Sequence, residues 1–590
     1  MKTNEIRRLL IANRGEIALR VMRTAHEMGI ETIAIYGDGE EHARHVQYAN
    51  EAYRIGEGDG LPYLRIPQII EIATRAKADA VHPGYGFLAE NAGFVRKVEE
   101  AGIKFVGPTA ESMEQLGDKI QARMLATKAG VSPVPGTPDA VLTLEKALAL
   151  GEDIGYPIAV KATAGGGGRG FRVAESSDGM EAAYNGARGE AERYFSNPDV
   201  YLERYIPNPR HIEVQIFVGA DGRVIAFPER ECSIQRRHQK LVEETPSTAV
   251  SPELRARLQD ASISLAKTAN YKNVGTIEYL LDKDGSFYFM EVNTRVQVEH
   301  TVTEMVTGYD IVREQLLAAM GEPSHITSDR LEPNGWSIEC RINAEDAANN
   351  FQPHPNRLSH VVRPIGFGVR VDSSLQSGDT ISDKYDSLIS KVITWGRDRD
   401  EAISRMKRAL HDYEIVGAPS TIPFHQRVLE TEDFRTGQYD TSFLEIHQDD
   451  IIGSIPPMYQ GEEAEPEETD PAVPLLIEVD GHRFNVQVFG AVGVAAPEKT
   501  KTTTKRKRAA RKEAAVSNDR DVLSPGQGTI LRVAVEVGQP IAVGDLIYVV
   551  ESMKMENEVV AQRQGTVAAV GVSAGQSVSR GQLLASIDTP

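Results

Sequence analysis

The sequence predicts a large α/β body followed by a small all-β domain, and three observations predict it. The amino-terminal third alternates short apolar runs with helix-period segments. A carboxylate-bearing hairpin pattern lies near the middle, between residues 276 and 293. The last seventy residues contain a 37-residue internal repeat of half-apolar strands. At 590 residues the chain can build several ordinary cores, and 41% apolar with 25% charged residues is the composition of a soluble globular protein. There is no basic-then-apolar leader and no uninterrupted apolar run of membrane-spanning length, so no membrane role and a cytoplasmic location are the expectation. Cys232 and Cys340 are too few and too isolated for a disulfide framework or a cysteine metal site. A net charge of −20 argues against nucleic acid, itself a dense row of negative charges.

Taken in order, Arg8 to Ala12 reads as a strand, Glu16 to Met28 as a helix and Glu31 to Tyr36 as a second strand, a βαβ opening. Its first turn holds Asn13-Arg14-Gly15-Glu16 instead of a G-x-G-x-x-G fingerprint. A strand from Ala78 to Val81 runs into the Gly/Pro-rich loop His82 to Phe87, placed as a cleft wall at a strand's carboxyl end. Asp118 reads as an N-cap, Lys119 to Ala129 as a helix and Gly130 as its C′ residue, which sets Lys119 in an anion-friendly first turn. Strands Ile158–Ala162 and Phe171–Val173 flank Gly165-Gly166-Gly167-Gly168-Arg169-Gly170. Glycines between two strands predict a hairpin tip whose bare N–H groups fold over phosphates.

The most informative spacing lies between Gly275 and His300. Strands Thr276–Asp282 and Phe287–Val292 flank a four-residue turn. Pairing Asp282 with Phe287 sets Glu278 opposite Glu291, and opposed carboxylates repel unless a cation lies between them. Magnesium carrying nucleotide phosphates would supply it, with Asn293 as a third oxygen ligand on the same face. Continued alternation predicts one wall bearing Arg295, Gln297 and Glu299, with Val296 and Val298 behind it. Two further clusters are Gln235 to Lys240, which includes His238, and Glu339 to Asp346, which includes Arg341.

After Phe443 the composition changes. An acidic, proline-broken run from Glu462 to Asp470 reads as a solvated linker, and Leu475 to Val488 as a short hairpin about Asp480-Gly481. The basic tract from Lys499 to Lys512 reads as a flexible charged tether, with a nucleic-acid tail as the other reading. Beyond it, Gln527-Gly528-Thr529-Ile530 recurs as Gln564-Gly565-Thr566-Val567, Gly538-Gln539 as Gly575-Gln576 and Gly544 as Gly581. Two similar β units predict a small sandwich, and Lys554, between Met553 and Met555, falls at their junction.

Met-Lys-Met between two glycine-punctuated β halves resembles the biotinyl carrier domain over about residues 522 to 589, with a lipoyl carrier as the alternative. Residues 6 to 445 resemble biotin carboxylase, an ATP-grasp enzyme with a Rossmann-like N-terminal domain. The resemblance rests on Asn13 to Ala18, His82 to Phe87, the glycine loop, Gln235 to Lys240, Asn293 to Glu299 and Glu339 to Asp346. It implies an N-terminal domain over 1–118, an ATP-grasp domain over 119–320, a C-terminal carboxylase domain over 321–446, a linker over 447–520 and the carrier over 521–590.

The resemblance also implies roles. Biotin is joined to Lys554 by a biotin protein ligase. Lys119 and Lys161 hold ATP phosphates, and Gly165, Gly166, Gly167 and Gly168 close over them. Glu203, His211, Gln235 and His238 border the nucleotide. Glu278, Glu291 and Asn293 bind magnesium or manganese, while Lys240, Arg295, Gln297 and Val298 hold bicarbonate. Glu299 is the base that prepares bicarbonate to attack the γ-phosphate, and Arg341 stabilises the enolate-like biotin oxygen. The expected enzyme resembles the α-subunit of a bacterial acyl-CoA carboxylase, self-associating through its carboxylase region. It would need a carboxyltransferase β-subunit, since only about eighty residues, largely linker, separate Phe443 from the repeat. A pyruvate carboxylase subunit, a scaffold with a vestigial ATP site and another ATP-grasp ligase are the competing readings.

Lys554 generates the first test. An avidin-type probe should label the full chain and fail to label Lys554→Arg; equal labelling of both would remove Lys554 as the biotinyl site.

Overall fold

The computed structural model describes residues 5–58, 60–137, 139–163, 170–195, 197–237, 239–455, 473–479, 482–488, 521–524, 528–552, 555–578 and 581–588. Gly165, Gly166, Gly167, Gly168, His238 and Lys554 lie outside the described residues, as do the acidic run and the basic tract. Among the described residues no helix is long and apolar enough to cross a membrane.

The chain opens with β1 (Arg8–Ile11), α1 (Gly15–Glu27) and β2 (Glu31–Tyr36), the expected βαβ unit. With β3 (Glu51–Arg54), β4 (Ala80–His82) and β5 (Lys104–Phe105) it forms a parallel sheet in the order β3-β2-β1-β4-β5. Leu9, Leu10 and Ile11 are wholly buried, as a parallel sheet covered on both faces requires. Helix α2 (Lys119–Lys128) starts where expected, with the Asp118 side chain accepting from the Gln121 N–H. Gly130 follows it at φ +78°.

A three-stranded sheet of β6 (Ile158–Ala162), β7 (Phe171–Ala174) and β8 (Val200–Arg204) comes next. Lys161 pairs with Phe171, so the glycine loop does connect the two arms of a hairpin.

The main sheet has eight strands and is antiparallel throughout. Its members are β9 (Arg210–Val218), β10 (Val224–Arg236), β11 (Gln239–Thr245), β12 (Asn273–Leu281), β13 (Phe287–Asn293), β14 (Trp336–Asn343), β15 (Val369–Ser373) and β16 (Leu388–Gly396). Their order is β13-β12-β9-β10-β11-β14-β16-β15. The pairing of β11 with β14 carries the sheet without a break into the segment beyond residue 321. Alternate residues of β14 explain why it lies there. Ile338, Cys340 and Ile342 enter an apolar core with Phe351, Met406 and Phe424, leaving Glu339 and Arg341 on the opposite face.

In the terminal domain the repeat becomes two four-stranded sheets that exchange strands. Gly528–Val533, Pro540–Ile541 and Leu546–Ser552 recur as Gly565–Val570, Ser577–Val578 and Leu583–Asp588. The short strand of each half pairs with the first strand of the other, Pro540 with Thr566 and Gly528 with Val578, so neither half closes without its copy. Ile530, Ile547, Val550, Val567, Leu584 and Ile587 fill the space between the sheets.

The repeated glycines have a steric reason. A Cβ on Gly528 would stand 2.2 Å from the Glu551 carbonyl oxygen, and one on Gly565 would stand 2.4 Å from that of Asp588. Gly565→Ala should therefore destabilise the carrier by roughly 1–3 kcal/mol, the cost of overpacking. Thermal unfolding of the full chain would register it, and an unchanged carrier transition would mean that the strand shifts freely.

Candidate active site

Four strands set a row of charge across the main sheet. Arg230 on β10 pairs with Glu213 on β9, Glu213 with Glu278 on β12, and Glu278 with Glu291 on β13. The expected opposition of Glu278 and Glu291 is present, but the register that produces it is different. Leu281, not Asp282, pairs with Phe287, and an extra residue at Met290 bulges out and restores the alignment. A second bulge, at Leu241 between the Ile234–Val242 and Gln235–Lys240 pairs, lets Lys240 and Glu243 serve one face although they are three residues apart.

The second correction concerns the segment after Asn293. Regular pairing stops there, so Arg295, Gln297 and Glu299 do not continue a strand. The chain leaves the sheet here although β12 runs on to Asn273, because other partners take it up. The Thr294 N–H is satisfied instead by the Glu90 carboxylate, and Val296 drops into the apolar core. The chain then turns into α3 (His300–Thr307), with Glu299 at its N-cap position. Gln297 and Glu299 nevertheless arrive beside the carboxylate row.

Lys240 is the central cation. Its Nζ donates to Glu213 Oε2 at 2.6 Å, Glu299 Oε1 at 2.7 Å and Glu278 Oε1 at 3.1 Å. Arg230, with no exposed surface, donates to Glu213, Gln215, Thr276, Gln297 and Thr303. Glu278 also accepts from Asn293 Nδ2 and Gln297 Nε2, each at 2.8 Å, and lies 2.9 Å from His211 Nε2. Burial alone would raise the Glu278 carboxyl, but Lys240 and His211 outweigh it and hold it well below the usual carboxylate range. Burial likewise opposes ionisation of Glu299, and Lys240, Arg341 and Arg230 reverse that. Glu291 differs: burial and then the facing Glu278 raise its carboxyl, with Lys119 only partly offsetting them.

The structure gives the other expected residues that it describes the following partners. Arg341 Nη2 donates to Glu299 Oε2 at 2.9 Å. Arg295 bridges Asn293 Oδ1 at 3.1 Å and Glu90 Oε2 at 3.0 Å. Lys161 lies 2.6 Å from Glu203, which Arg123 also holds. Gln235 pairs with Lys240 across the β10–β11 turn, and the Val298 carbonyl accepts from Lys391 at 2.7 Å. His211 stands against Glu278, within the carboxylate row. Sequence reasoning missed Glu213, Arg230, Glu243, Glu90 and Arg123. A glutamate two residues beyond His211 on a strand was a usable signal for Glu213, because period two puts both on one face. Nothing local marks Arg230.

The chain's similarity to known proteins accords with this geometry. Residues 5–113 match the family model "Biotin carboxylase, N-terminal domain". Residues 118–326 match "Carbamoyl-phosphate synthase L chain, ATP binding domain" and residues 339–446 match "Biotin carboxylase C-terminal domain". Biotin carboxylase 1 of Bacillus subtilis (strain 168) is 47% identical over 451 residues, covering 76% of this chain and 100% of that relative. The chain belongs to the biotin carboxylase family. Its terminal domain, residues 520–587, matches the model "Biotin-requiring enzyme". The chain is thus an ATP-grasp biotin carboxylase joined to a biotinyl domain. The biotin-dependent acyl-coenzyme A carboxylase alpha3 subunit of Mycobacterium leprae (strain TN) is 39% identical over 567 residues, covering 94% of each chain. The biotin carboxylase domain dimer of Hydrogenobacter thermophilus 2-oxoglutarate carboxylase, solved with MgADP, ADP and bicarbonate, superimposes with a TM-score of 0.74. It is 44% identical and covers 76% of this chain and 98% of that one.

The residues suit a divalent cation. Glu278, Glu291 and Asn293 are hard oxygen donors, and among the described residues no ion pair neutralises Glu291. His211, Glu213 and Glu278 bring ligand atoms within 4.8 Å of one another beside them. Glu291→Gln removes one charge from the set. It should raise the magnesium concentration needed for half-maximal ATP turnover about tenfold or more, as loss of a charged ligand does. An unchanged magnesium titration would take Glu291 out of the metal site.

Proposed function

We propose that this biotin carboxylase uses ATP and bicarbonate to carboxylate biotin held on Lys554, and serves a separate carboxyltransferase subunit that acts on acetyl-CoA, propionyl-CoA or both. The observation that carries the chemistry is Glu299, a buried carboxylate held between Lys240 and Arg341 at the end of the carboxylate row. The Mycobacterium leprae α-subunit, matched over nearly its whole length, supports the acyl-CoA reading.

The residues divide into two sets. Lys119 and Lys161 are the cations for ATP phosphates, and Lys161 would exchange Glu203 for phosphate as nucleotide enters. Glu278, Glu291 and Asn293 would hold magnesium or manganese, whose charge offsets that of the phosphates when bound. Lys240, Arg295, Gln297 and the Val298 backbone form the bicarbonate set. Two anions must meet there, and prealigned cations make that approach feasible.

The electrostatics of Glu299 suit a base that is switched on by substrate. Lys240 and Arg341 keep it ionised but weakly basic in the resting site. Bicarbonate taking the Lys240 hydrogens would release Glu299 from its strongest partner, so its basicity rises where a proton must be removed. Deprotonated bicarbonate then attacks the γ-phosphate. Arg341 would steady the developing negative charge on the biotin ureido oxygen.

Self-association through the carboxylase region and a cytoplasmic location belong to the same reading. Ile365 at 81% exposure and Phe367 at 77% supply an apolar surface for the first, and the Hydrogenobacter domain was solved as a dimer.

Two measurements test it. The purified chain should cleave ATP only with bicarbonate present and carboxylate its own carrier, yet carboxylate no acyl-CoA until the partner subunit is added. Acyl-CoA carboxylation by the chain alone would refute the division. Glu299→Gln should lose bicarbonate-dependent ATP cleavage, whereas Arg341→Gln should impair carboxyl transfer to biotin more than ATP cleavage. Equal losses in both variants would overturn the roles given to Glu299 and Arg341.

A further inference from the structure

Beneath Arg341 lies a pair of acids that the reaction as described does not use. Glu243 on β11 and Glu339 on β14 are directly opposed, and neither has exposed surface. Arg341, two residues on from Glu339, lies on the same face, and its Nε donates to Glu243 Oε1 at 2.6 Å. The same guanidinium reaches Glu299 through Nη2. Among the described residues no acceptor takes its Nη1 hydrogens, which leaves that edge for substrate. Glu243 is thus what points Arg341 at the reaction.

The opposed pair is unequally compensated: Arg341 ion-pairs with Glu243, while among the described residues no cation ion-pairs with Glu339. The charged or titratable groups around the pair are Lys240, Arg341, Lys391, Arg230, Arg295, Arg370 and His211, with Glu299, Glu213, Glu278, Asp372 and, from α1, Glu16 as the other acids. Cys232, His300 and His425 also lie nearby, and burial leads all three to stay uncharged. A buried charge that faces a like charge without a partner is strongly unfavourable, so one of the two opposed acids keeps a proton. Lys240 is committed to Glu213, Glu278 and Glu299, and Lys391 to the Val298 carbonyl. Among the described residues Glu339 receives only the Thr301 hydroxyl, its Oε1 has no partner, and Glu16 has no hydrogen bond on either oxygen.

We propose that Glu243 is a positioning residue for Arg341, and that Glu339 opposite it keeps a proton, which allows the ionised Glu243 to hold the guanidinium against Glu299. The inference rests on the role given to Arg341 above. Two trends run the same way as the contacts. Burial pushes the Glu339 carboxyl up to about 8, with Lys391 opposing and Glu243 adding to the rise. Burial raises Glu243 to about 7, with Arg341 opposing. The proton thus rests on Glu339 first, and Glu243 gains one as pH falls through about 7. Arg341 loses its anchor on that side of the titration.

The test uses the full-length chain, free biotin as acceptor, and two variants that keep shape while removing charge. Wild-type biotin carboxylation should show an acidic limb near pH 7 that bicarbonate-dependent ATP cleavage lacks. Glu243→Gln should lower the kcat of biotin carboxylation by roughly tenfold to a hundredfold, the loss of one charge-assisted hydrogen bond. The limb should disappear and ATP cleavage should persist. Glu339→Gln imitates the protonated acid and should remain close to wild type at neutral pH. Either equal loss of both activities in Glu243→Gln, or equal damage from the two variants, would overturn the proposal. Infrared difference spectra decide the proton without any turnover: a protonated-carboxyl band present at pH 7 should vanish in Glu339→Gln and survive in Glu243→Gln. A band indifferent to Glu339→Gln would also overturn it. Absence of biotin carboxylation in the wild type would instead count against the proposed function, and the infrared result would still stand on its own.

Discussion

Everything at the centre of this molecule depends on keeping a row of buried glutamates compensated. Glu213, Glu278 and Glu291 stand side by side across three adjacent strands, and Glu299 closes the row from the segment beyond. Each ion removed from water costs several kcal/mol, and removing one partner from a buried pair costs about 3–5 kcal/mol. Arg230 and Lys240 are the groups that make the arrangement tenable, one rigid and spread over five acceptors, the other a point charge shared among three carboxylates. The choice of residue follows from position. A guanidinium fixed by Gln215, Thr276, Gln297 and Thr303 holds the sheet, whereas a lysine can leave one carboxylate for an incoming anion.

The same constraint gives the resting site its reactivity. A pocket for ATP and bicarbonate needs several cations close together, and bare cations in a protein interior would repel one another. Glutamates hold such cations in this structure: Glu203 holds Lys161, Glu90 holds Arg295, and Glu213, Glu278 and Glu299 share Lys240. Under the proposed function, substrate binding would be an exchange of one anion for another. Among the described residues Glu291 alone in the row lacks such a partner, which suits it to a metal.

Much of this was legible in the sequence because period two is a strong rule. It placed Glu278 against Glu291. It failed where the backbone departs from it. The bulge at Met290 left the expected pairing correct with a shifted register, and the one at Leu241 put Lys240 and Glu243 on a face that alternation denies them. The stretch from Arg295 to Glu299 alternates in sequence yet is not a strand, because Glu90 takes the Thr294 N–H and Val296 is drawn into the core. Arg230 was invisible for a different reason. Its partners come from four separate segments, so only the folded sheet shows that five acceptors converge on one guanidinium. The 37-residue repeat was legible at once, since strand exchange between two copies forces both to keep the same glycines.

Sheet continuity explains how two half-reactions are joined. The metal-binding candidates sit on β12 and β13 and Arg341 sits on β14, five strands away in sheet order from Glu291. A hinge between them would let the two ends of the site drift apart. Instead β9, β10 and β11 bridge them with antiparallel ladders that bulge but continue, and the polar face of that bridge carries Glu213, Arg230, Lys240 and Glu243. Each reaches the next by a hydrogen bond or an ion pair through Glu299 and Arg341. Glu299 thereby answers to both ends at once, to Lys240 on one side and to Arg341 on the other. A change of charge at one half of the site reaches the other through two contacts at one carboxylate, with no movement of the backbone required.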